Sequence, residues 1–485
     1  MILDLAGPTE EEREALDSSI NALRRRSPIM SASYLATKPQ KIVLGLLAVL
    51  ALASFVPFPS DTAAAIVSTL TLVYLVTLID RMHLFAQGLS HHPAIQVSDE
   101  EARALTEEEL PVYTVLLAVY KEHEMMAQLL SRIGALEYPS EQLDIKLLLE
   151  ADDSETIAAA RSAVDSCVHP VELVIVPAAQ PRTKPKALNY GIQSARGEYV
   201  TIYDAEDSPD TLQLRRVVAA FRRSPPELAC IQAMLKFRND RVNTLTRWFT
   251  CEYAIWHAYV LPALMQGGSP IPLAGTSNHI RMDALRAVGG WDPFNVTEDA
   301  DLGIRLARFG YSTAVIDSVT YEEANSDPIN WIRQRSRWYK GYLQTFLVHT
   351  RHPIELWRQL GPGGTVRFAN VTLGTSLLPI ANAVFWWLIP VWVLGQPALL
   401  RSLFPPFCLY IGLFSLVVGN SAVVLSGLLV CRAEDKPHLA MAALFVPAYW
   451  VLMAIAAVKA LVQLVFNPFY WEKTEHVLDE SQNGD

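Results

Sequence analysis

The chain has 485 residues, of which 51% are hydrophobic and 19% charged. That balance is too apolar for an ordinary soluble enzyme and too charged for a channel lying mostly in the bilayer, so one soluble domain joined to several membrane spans is expected. The net charge of −10 argues against nucleic acid as the main partner. The five cysteines (Cys167, Cys230, Cys251, Cys408, Cys431) form no C-x-x-C pair, which indicates neither a disulfide framework nor a zinc site and points to a reducing compartment.

Residues 1–40 are expected to form a cytosolic N-terminal segment, acidic at Glu10–Glu12 and basic at Arg24, Arg25, Arg26 and Lys38. They hold no short apolar run before a small-residue cleavage site, so no cleavable signal peptide is expected. Two apolar runs, 42–58 and 62–79, are each long enough to cross a bilayer and make 41–86 a transmembrane hairpin. The cations before it and Arg81 after it, against Asp61 at its tip, place both flanks in the cytosol.

From 95 to 353 the composition becomes that of a soluble α/β domain. Strands are predicted at 113–120, 145–149, 171–176, 199–203 and 229–235. Helical patterns separate them, so an open, mostly parallel sheet with helices on both faces is expected. Ligands of such sheets bind beyond the carboxyl ends of the strands. The stretch 354–436 reads as an interfacial helix and two transmembrane helices. The last apolar stretch, within 437–467, is interrupted by Pro447 and carries Lys459 and Gln463 on one edge, which favours a kinked interfacial helix over a crossing. A third crossing with the tail outside is the competing reading. A cytosolic tail, 468–485, closes the chain.

The strand ends carry the chemistry. Tyr120 and Glu122 follow the first strand, and Asp152 and Asp153 the second. Lys184 and Lys186 precede a helix start, where cations oppose the helix dipole unless an anion is near. Asp204 and Glu206, in D-A-E-D, end the fourth strand pointing the same way. Paired carboxylates need a compensating cation, and hard oxygen ligands suit Mg²⁺ or Mn²⁺. Thr297-Glu298-Asp299 opens an amphipathic helix with Thr297 as a natural N-cap. In Q-x-x-R-W, Gln334, Arg337 and Trp338 share one face if helical, offering an amide, a guanidinium and a flat indole. Taken singly, each group also reads as a helix cap, a polar turn or a basic amphipathic helix.

As an ordered set over about 112–350, these motifs resemble the membrane-integrated family 2 glycosyltransferases, in particular the cellulose, chitin, hyaluronan and curdlan synthases. The resemblance implies a cytosolic GT-A-like domain that uses a nucleotide-diphosphate sugar, usually a UDP-sugar, and inverts the anomeric carbon. Tyr120 and Glu122 then match nucleotide contacts, Asp152 or Asp153 the acid at the base, and Lys184 and Asn189 the K-x-x-A-L-N element at the donor. Asp204 and Glu206 match the metal-binding D-x-D motif. Glu206 is one methylene longer than the usual Asp, so Asp207 is a further candidate ligand. Asp299 matches the general base, Arg337 contacts donor phosphates, and Gln334, Trp338 and Glu298 hold the acceptor. Trp471, Lys473 and Thr474 occupy the place of a gating loop.

The leading expectation is a processive synthase in a bacterial-type inner membrane, extending a polysaccharide and passing it through its own helices. A single-transfer enzyme acting on a lipid or lipid-linked acceptor is the alternative. A non-catalytic nucleotide-sugar-binding subunit is disfavoured by the full set of acids, and a transporter by the few intramembrane charges.

Overall fold

The computed structural model describes residues 9–395 and 404–470. Trp471, Lys473 and Thr474 lie outside the described residues. The sheet runs β3-β2-β1-β4-β7-β6-β8-β5, with β1 Tyr113–Val119, β2 Leu143–Glu150, β3 Val171–Val176, β4 Tyr199–Tyr203, β5 Ser208–Pro209, β6 Leu228–Phe237, β7 Asn278–Arg281 and β8 Ser312–Glu322. The first four long strands are mutually parallel, and β6 is parallel to β8. β1, β2, β4 and β6 are largely covered on both faces, which is why they are mainly apolar; the charged exceptions inside β2, Asp144 and Lys146, pair with each other at 3.3 Å.

The five expected strands are all present. Not expected from the sequence were β5, β8 and β7, the last of which lies antiparallel between β4 and β6. Its Asn278 and His279 are fully buried but polar. His279 Nδ1 shares a 2.8 Å hydrogen bond with the Tyr113 hydroxyl, so burial here rests on partnering and leaves no hydrophobic pattern.

Five helices among the described residues are long and apolar enough to cross a membrane: Lys38–Phe55, Pro59–His91, Pro353–Trp387, Pro406–Ala433 and Val446–Phe466. Lys38–Phe55 buries none of its side chains. So large an uncovered apolar surface calls for lipid. Pro353–Ala369 breaks at Gly361, whose φ is 67°, just before Pro362. This separates a short surface helix from the apolar continuation.

The expected kink at Pro447 is instead a helix start. Pro447 sits in the first turn of Val446–Phe466, where a missing N–H is harmless, and the break falls before it at Phe445. Both flanks of this helix touch the α/β domain. Lys236 pairs with Glu434 at 2.5 Å, Lys436 with Asp240 at 2.6 Å, and the Trp248 indole donates to the Ala442 carbonyl at 2.8 Å. Beyond the other end, Gln344 donates to the Pro468 carbonyl at 2.7 Å and Lys340 to the Tyr470 carbonyl at 2.6 Å.

Candidate active site

A cavity of about 700 Å³ begins at the carboxyl ends of β1 and β4 and continues between the membrane-side helices. Tyr120, Glu122, Lys184, Asp204 and Glu206 line its outer part. Glu298, Asp299, Gln334, Arg337 and Trp338 line its middle, and Tyr74, Asn382 and Asn420 its far end.

On the outer side, the Lys184 ammonium donates to Asp204 and, at 2.8 Å, to the Gly275 carbonyl. Burial works against its charge, but Asp204 first and then Glu298 and Asp207 outweigh that and hold its pKa above the usual lysine range. Lys186 behaves differently. It is fully buried and bonded to Glu150 at 2.7 Å, so it braces the strand end, and of the two lysines only Lys184 lines the cavity.

Neither of the acids after β2, Asp152 and Asp153, is among the residues that line the cavity. Asp152 pairs with Arg182 at 2.6 Å, and Arg182 lines the cavity. Asp153 caps the helix Ser154–Ala163 through the Thr156 amide, and it accepts from the Lys121 amide at 2.5 Å. That fixes the turn after β1.

Asn189 does not reach the cavity, contrary to the donor-binding expectation. Its amide donates to the Ser19 carbonyl at 3.0 Å and the Trp291 carbonyl at 2.7 Å, and accepts from the Trp291 amide at 3.0 Å. The reason is helical phase. Lys184 and Asn189 are five residues apart on the helix Lys184–Gly191, so they point roughly 140° apart. Asn189 ties the N-terminal helix Glu10–Arg26 to the domain instead.

The D-A-E-D turn is held by its own acids. Asp207 accepts from the Asp204 amide at 2.7 Å and from the Thr276 hydroxyl, and it is fully buried behind the turn. Arg132 and Arg238 donate to the Glu206 carbonyl at 2.8 and 2.6 Å. Asp207 Oδ1 is buried with no hydrogen-bond partner. Burial, then Asp204 and Glu206, push the Asp207 pKa well above the carboxylate range, and burial, then Asp207, Glu206 and Asp204, do so for Glu322. This surplus of negative charge fits a divalent cation held by Asp204 and Glu206, with Asp207 shaping the turn from behind. Among the described residues no three carboxylate, histidine or cysteine groups form a closed cage. Such an ion would therefore complete its shell with ligand oxygens and water, as Mg²⁺ does on phosphates.

Thr297 stands at the N-cap of the helix Glu298–Arg308 but makes no capping bond. Its hydroxyl is buried without a partner, because Gly341 of the Q-x-x-R-W helix presses against it. A Cβ on Gly341 would lie 2.3 Å from Thr297 Oγ1 and 2.8 Å from its Cβ. Further bonds fasten the two motifs together. The Val296 amide donates to Gln344 at 3.2 Å, and Asn295 donates to Thr345 at 3.0 Å.

Asp299, at the helix start, accepts from the Ala300 amide at 2.7 Å. Burial raises its pKa to about 6, against the pull of Lys184 and Arg337. Burial and then the Asp299 charge lift Glu298 further, to about 8. The pair thus offers one carboxylate ionised near neutrality beside one that holds its proton, which suits a general base with a hydrogen-bonding neighbour.

The segment Pro328–His349 is helical, and Gln334, Arg337 and Trp338 all face the cavity as expected. The Trp338 ring lies 5.9 Å from Phe249 and 6.4 Å from Tyr253, with the Arg335 guanidinium 4.7 Å over its face. Arg335 is in turn held by Glu252 at 2.6 Å. Trp338 therefore presents a fixed surface where the α/β domain meets the membrane helices. Gly341, Gly275, Arg81 and Glu322 were missed in the sequence. Only Gly341 left a signal there, as a glycine inside an otherwise strong helix.

In comparison with known proteins, the chain is 25% identical over 242 residues to a beta-monoglucosyldiacylglycerol synthase of Synechocystis, covering 50% of each chain. It is 27% identical over 227 residues to a poly-beta-1,6-N-acetyl-D-glucosamine synthase of Staphylococcus epidermidis, covering 47% of this chain and 53% of that one. The chain thus spans about half the length of these curated relatives. A mannosyltransferase of Pyrobaculum calidifontis, solved with GDP-Man and Mn²⁺, superposes with a TM-score of 0.53 at 18% identity, covering 82% of this chain and 99% of that one. That likeness identifies the α/β domain as GT-A-like. Residues 199–464, from β4 through the Q-x-x-R-W helix to the last apolar helix, match the glycosyl transferase family group 2 pattern, and the chain belongs to that family.

Proposed function

We propose that the chain transfers a sugar, with inversion, from a nucleotide-diphosphate sugar to an acceptor held between Trp338 and the membrane helices, and that it thereby extends a polysaccharide. The observation that carries this reading is the single cavity joining Lys184, Asp204 and Glu206 to Asp299, Trp338 and the intramembrane residues Tyr74, Asn382 and Asn420. Asp299 takes the proton of the attacking hydroxyl, and Trp338 orients the acceptor ring. Lys184 and Arg337 stand where the departing diphosphate gathers charge. A bound Mg²⁺ or Mn²⁺ on Asp204 and Glu206 would supply further positive charge there. UDP-sugar is the proposed donor, with Tyr120, Glu122 and Asp152 at its nucleotide end.

The α/β domain is proposed to face the cytosol of a bacterial-type inner membrane, with the product leaving between the helices around Asn382 and Asn420. The contacts at both flanks of Val446–Phe466 support a helix lying along the domain, which keeps the C-terminal tail cytosolic.

A second reading, one sugar placed on a lipid, is supported by the likeness to the Synechocystis lipid synthase. The apolar walls beyond Trp338, including Leu78, Phe85 and Met453, favour it as well. Incubating the purified full-length protein in lipid with radiolabelled nucleotide sugars tests both. A ladder or high polymer supports extension. One discrete glycolipid overturns extension and supports the second reading.

A further inference from the structure

Arg81, ten residues before the end of the helix Pro59–His91, turns inward and lines the cavity. It donates to the Thr375 hydroxyl at 2.7 Å, and among the described residues it makes no ion pair. The neighbouring acids are committed elsewhere. Asp80 lies 3.6 Å from Arg367 and accepts from Asn370 at 3.2 Å. Glu252 accepts from Arg335 at 2.6 Å and from the Tyr449 hydroxyl at 2.7 Å.

A second observation stands beside this. Tyr339, on the Q-x-x-R-W helix, is 1% exposed and lines the cavity, and its hydroxyl has no hydrogen-bond partner. Tyr342 lines the same wall and lies within electrostatic range of both Asp299 and Arg81.

A guanidinium donates but cannot accept, and taking it out of water without an anion is unfavourable. An orphaned phenol beside it lacks an acceptor as well. Both deficits are met by one occupant that brings negative charge and several acceptor oxygens, and a phosphate matches the guanidinium fork. Along the helix, Tyr74 lies roughly 10 Å deeper than Arg81. The wall between them, with Leu78 and Leu378, suits hydrocarbon. The polar groups at the far end largely satisfy one another, the Tyr74 hydroxyl lying 3.1 Å from Asn382 Oδ1 and 3.4 Å from Asn420 Oδ1.

We propose that Arg81 and Tyr339 bind the phosphate of a membrane amphiphile that serves as the acceptor or primer, its chain running towards Tyr74. The inference rests on the reading that the acceptor occupies this cavity, which polymer extension and single transfer share.

The test uses the full-length protein in a phosphate-free, non-ionic detergent. A polyprenyl phosphate and a phosphatidic acid are compared with the neutral polyprenol and diacylglycerol. Both phosphates should raise the melting temperature and stimulate nucleotide release saturably, and the neutral lipids should do neither. Arg81→Gln should raise the half-saturating phosphate lipid at least tenfold with a smaller change in kcat, while Arg81→Lys keeps most of the affinity. Tyr339→Phe should weaken binding about threefold or more without lowering the melting temperature of the lipid-free protein, because it removes an unpaired hydroxyl. Equal action of the neutral lipids, or unchanged half-saturation in Arg81→Gln, overturns the phosphate site while leaving transfer intact. Should the wild-type protein bind the phosphate lipids yet release nucleotide from no sugar donor, the transferase reading falls and the site stands.

Discussion

Replacing Gly341 by alanine tests how the T-E-D and Q-x-x-R-W motifs are held together. The added Cβ would lie 2.3 Å from Thr297 Oγ1, 2.4 Å from Cγ2 and 2.8 Å from Cβ, and ordinary contact begins at 3.4 Å. Rotating the threonine side chain relieves the first two contacts but not the third, so the helices must part by several tenths of an ångström to about 1 Å. Overpacking of this kind costs about 1–3 kcal/mol. Helix propensity works the other way, favouring alanine over glycine by about 1 kcal/mol. The sign of the result therefore separates the two effects. We expect Gly341→Ala to lower the melting temperature by a few degrees. Because Asp299 and Trp338 are carried on the two separated elements, kcat should fall by on the order of 10²-fold. Differential scanning fluorimetry and nucleotide release under single-turnover conditions measure the two. Adding Thr297→Ala removes both γ atoms and should recover part of each loss, a coupling that a double-mutant cycle reads directly. A Gly341→Ala protein at least as stable as wild type with normal turnover would refute the close contact and the positioning role drawn from it.

Asp299→Asn should abolish transfer while donor binding, followed by equilibrium dialysis of the nucleotide sugar, survives; near-normal turnover would remove Asp299 as the base. Since the base acts unprotonated and burial raises its pKa to about 6, kcat/KM should rise with pH through about 6 and then level. Glu298 is lifted from 4.5 to about 8. Its stabilising contribution is therefore fully present below the unfolded pKa and lost as pH rises through about 8. The melting temperature should be lower at pH 8.5 than at pH 6, and Glu298→Gln should flatten that slope. Mn²⁺ or Mg²⁺ added with a nucleoside diphosphate should raise the melting temperature, an effect Asp204→Asn should remove along with turnover. A cysteine introduced at Gln482 in sealed inside-out vesicles should react with an impermeant maleimide, and protection there would make Val446–Phe466 a crossing.

What the sequence determined by itself is what neighbours along the chain decide. Covered strands such as Tyr113–Val119 must be mainly apolar, and a helical stretch carrying Gln334, Arg337 and Trp338 must present them together, so both were legible from spacing alone. The apolar lengths that announced the membrane helices are of the same kind. Tertiary structure decided everything that depends on which distant groups meet. Asn189 and Lys184 lie five residues apart in one motif, yet helical phase sends one to the N-terminal helix and the other to Asp204. β7 is held by buried polar partners, so no apolar pattern marks it. Arg81 reads in sequence as a cation at the end of a span. Only the packing of that span against the helix carrying Thr375 turns it into the cavity, because a side chain's environment is set by the elements that close around it.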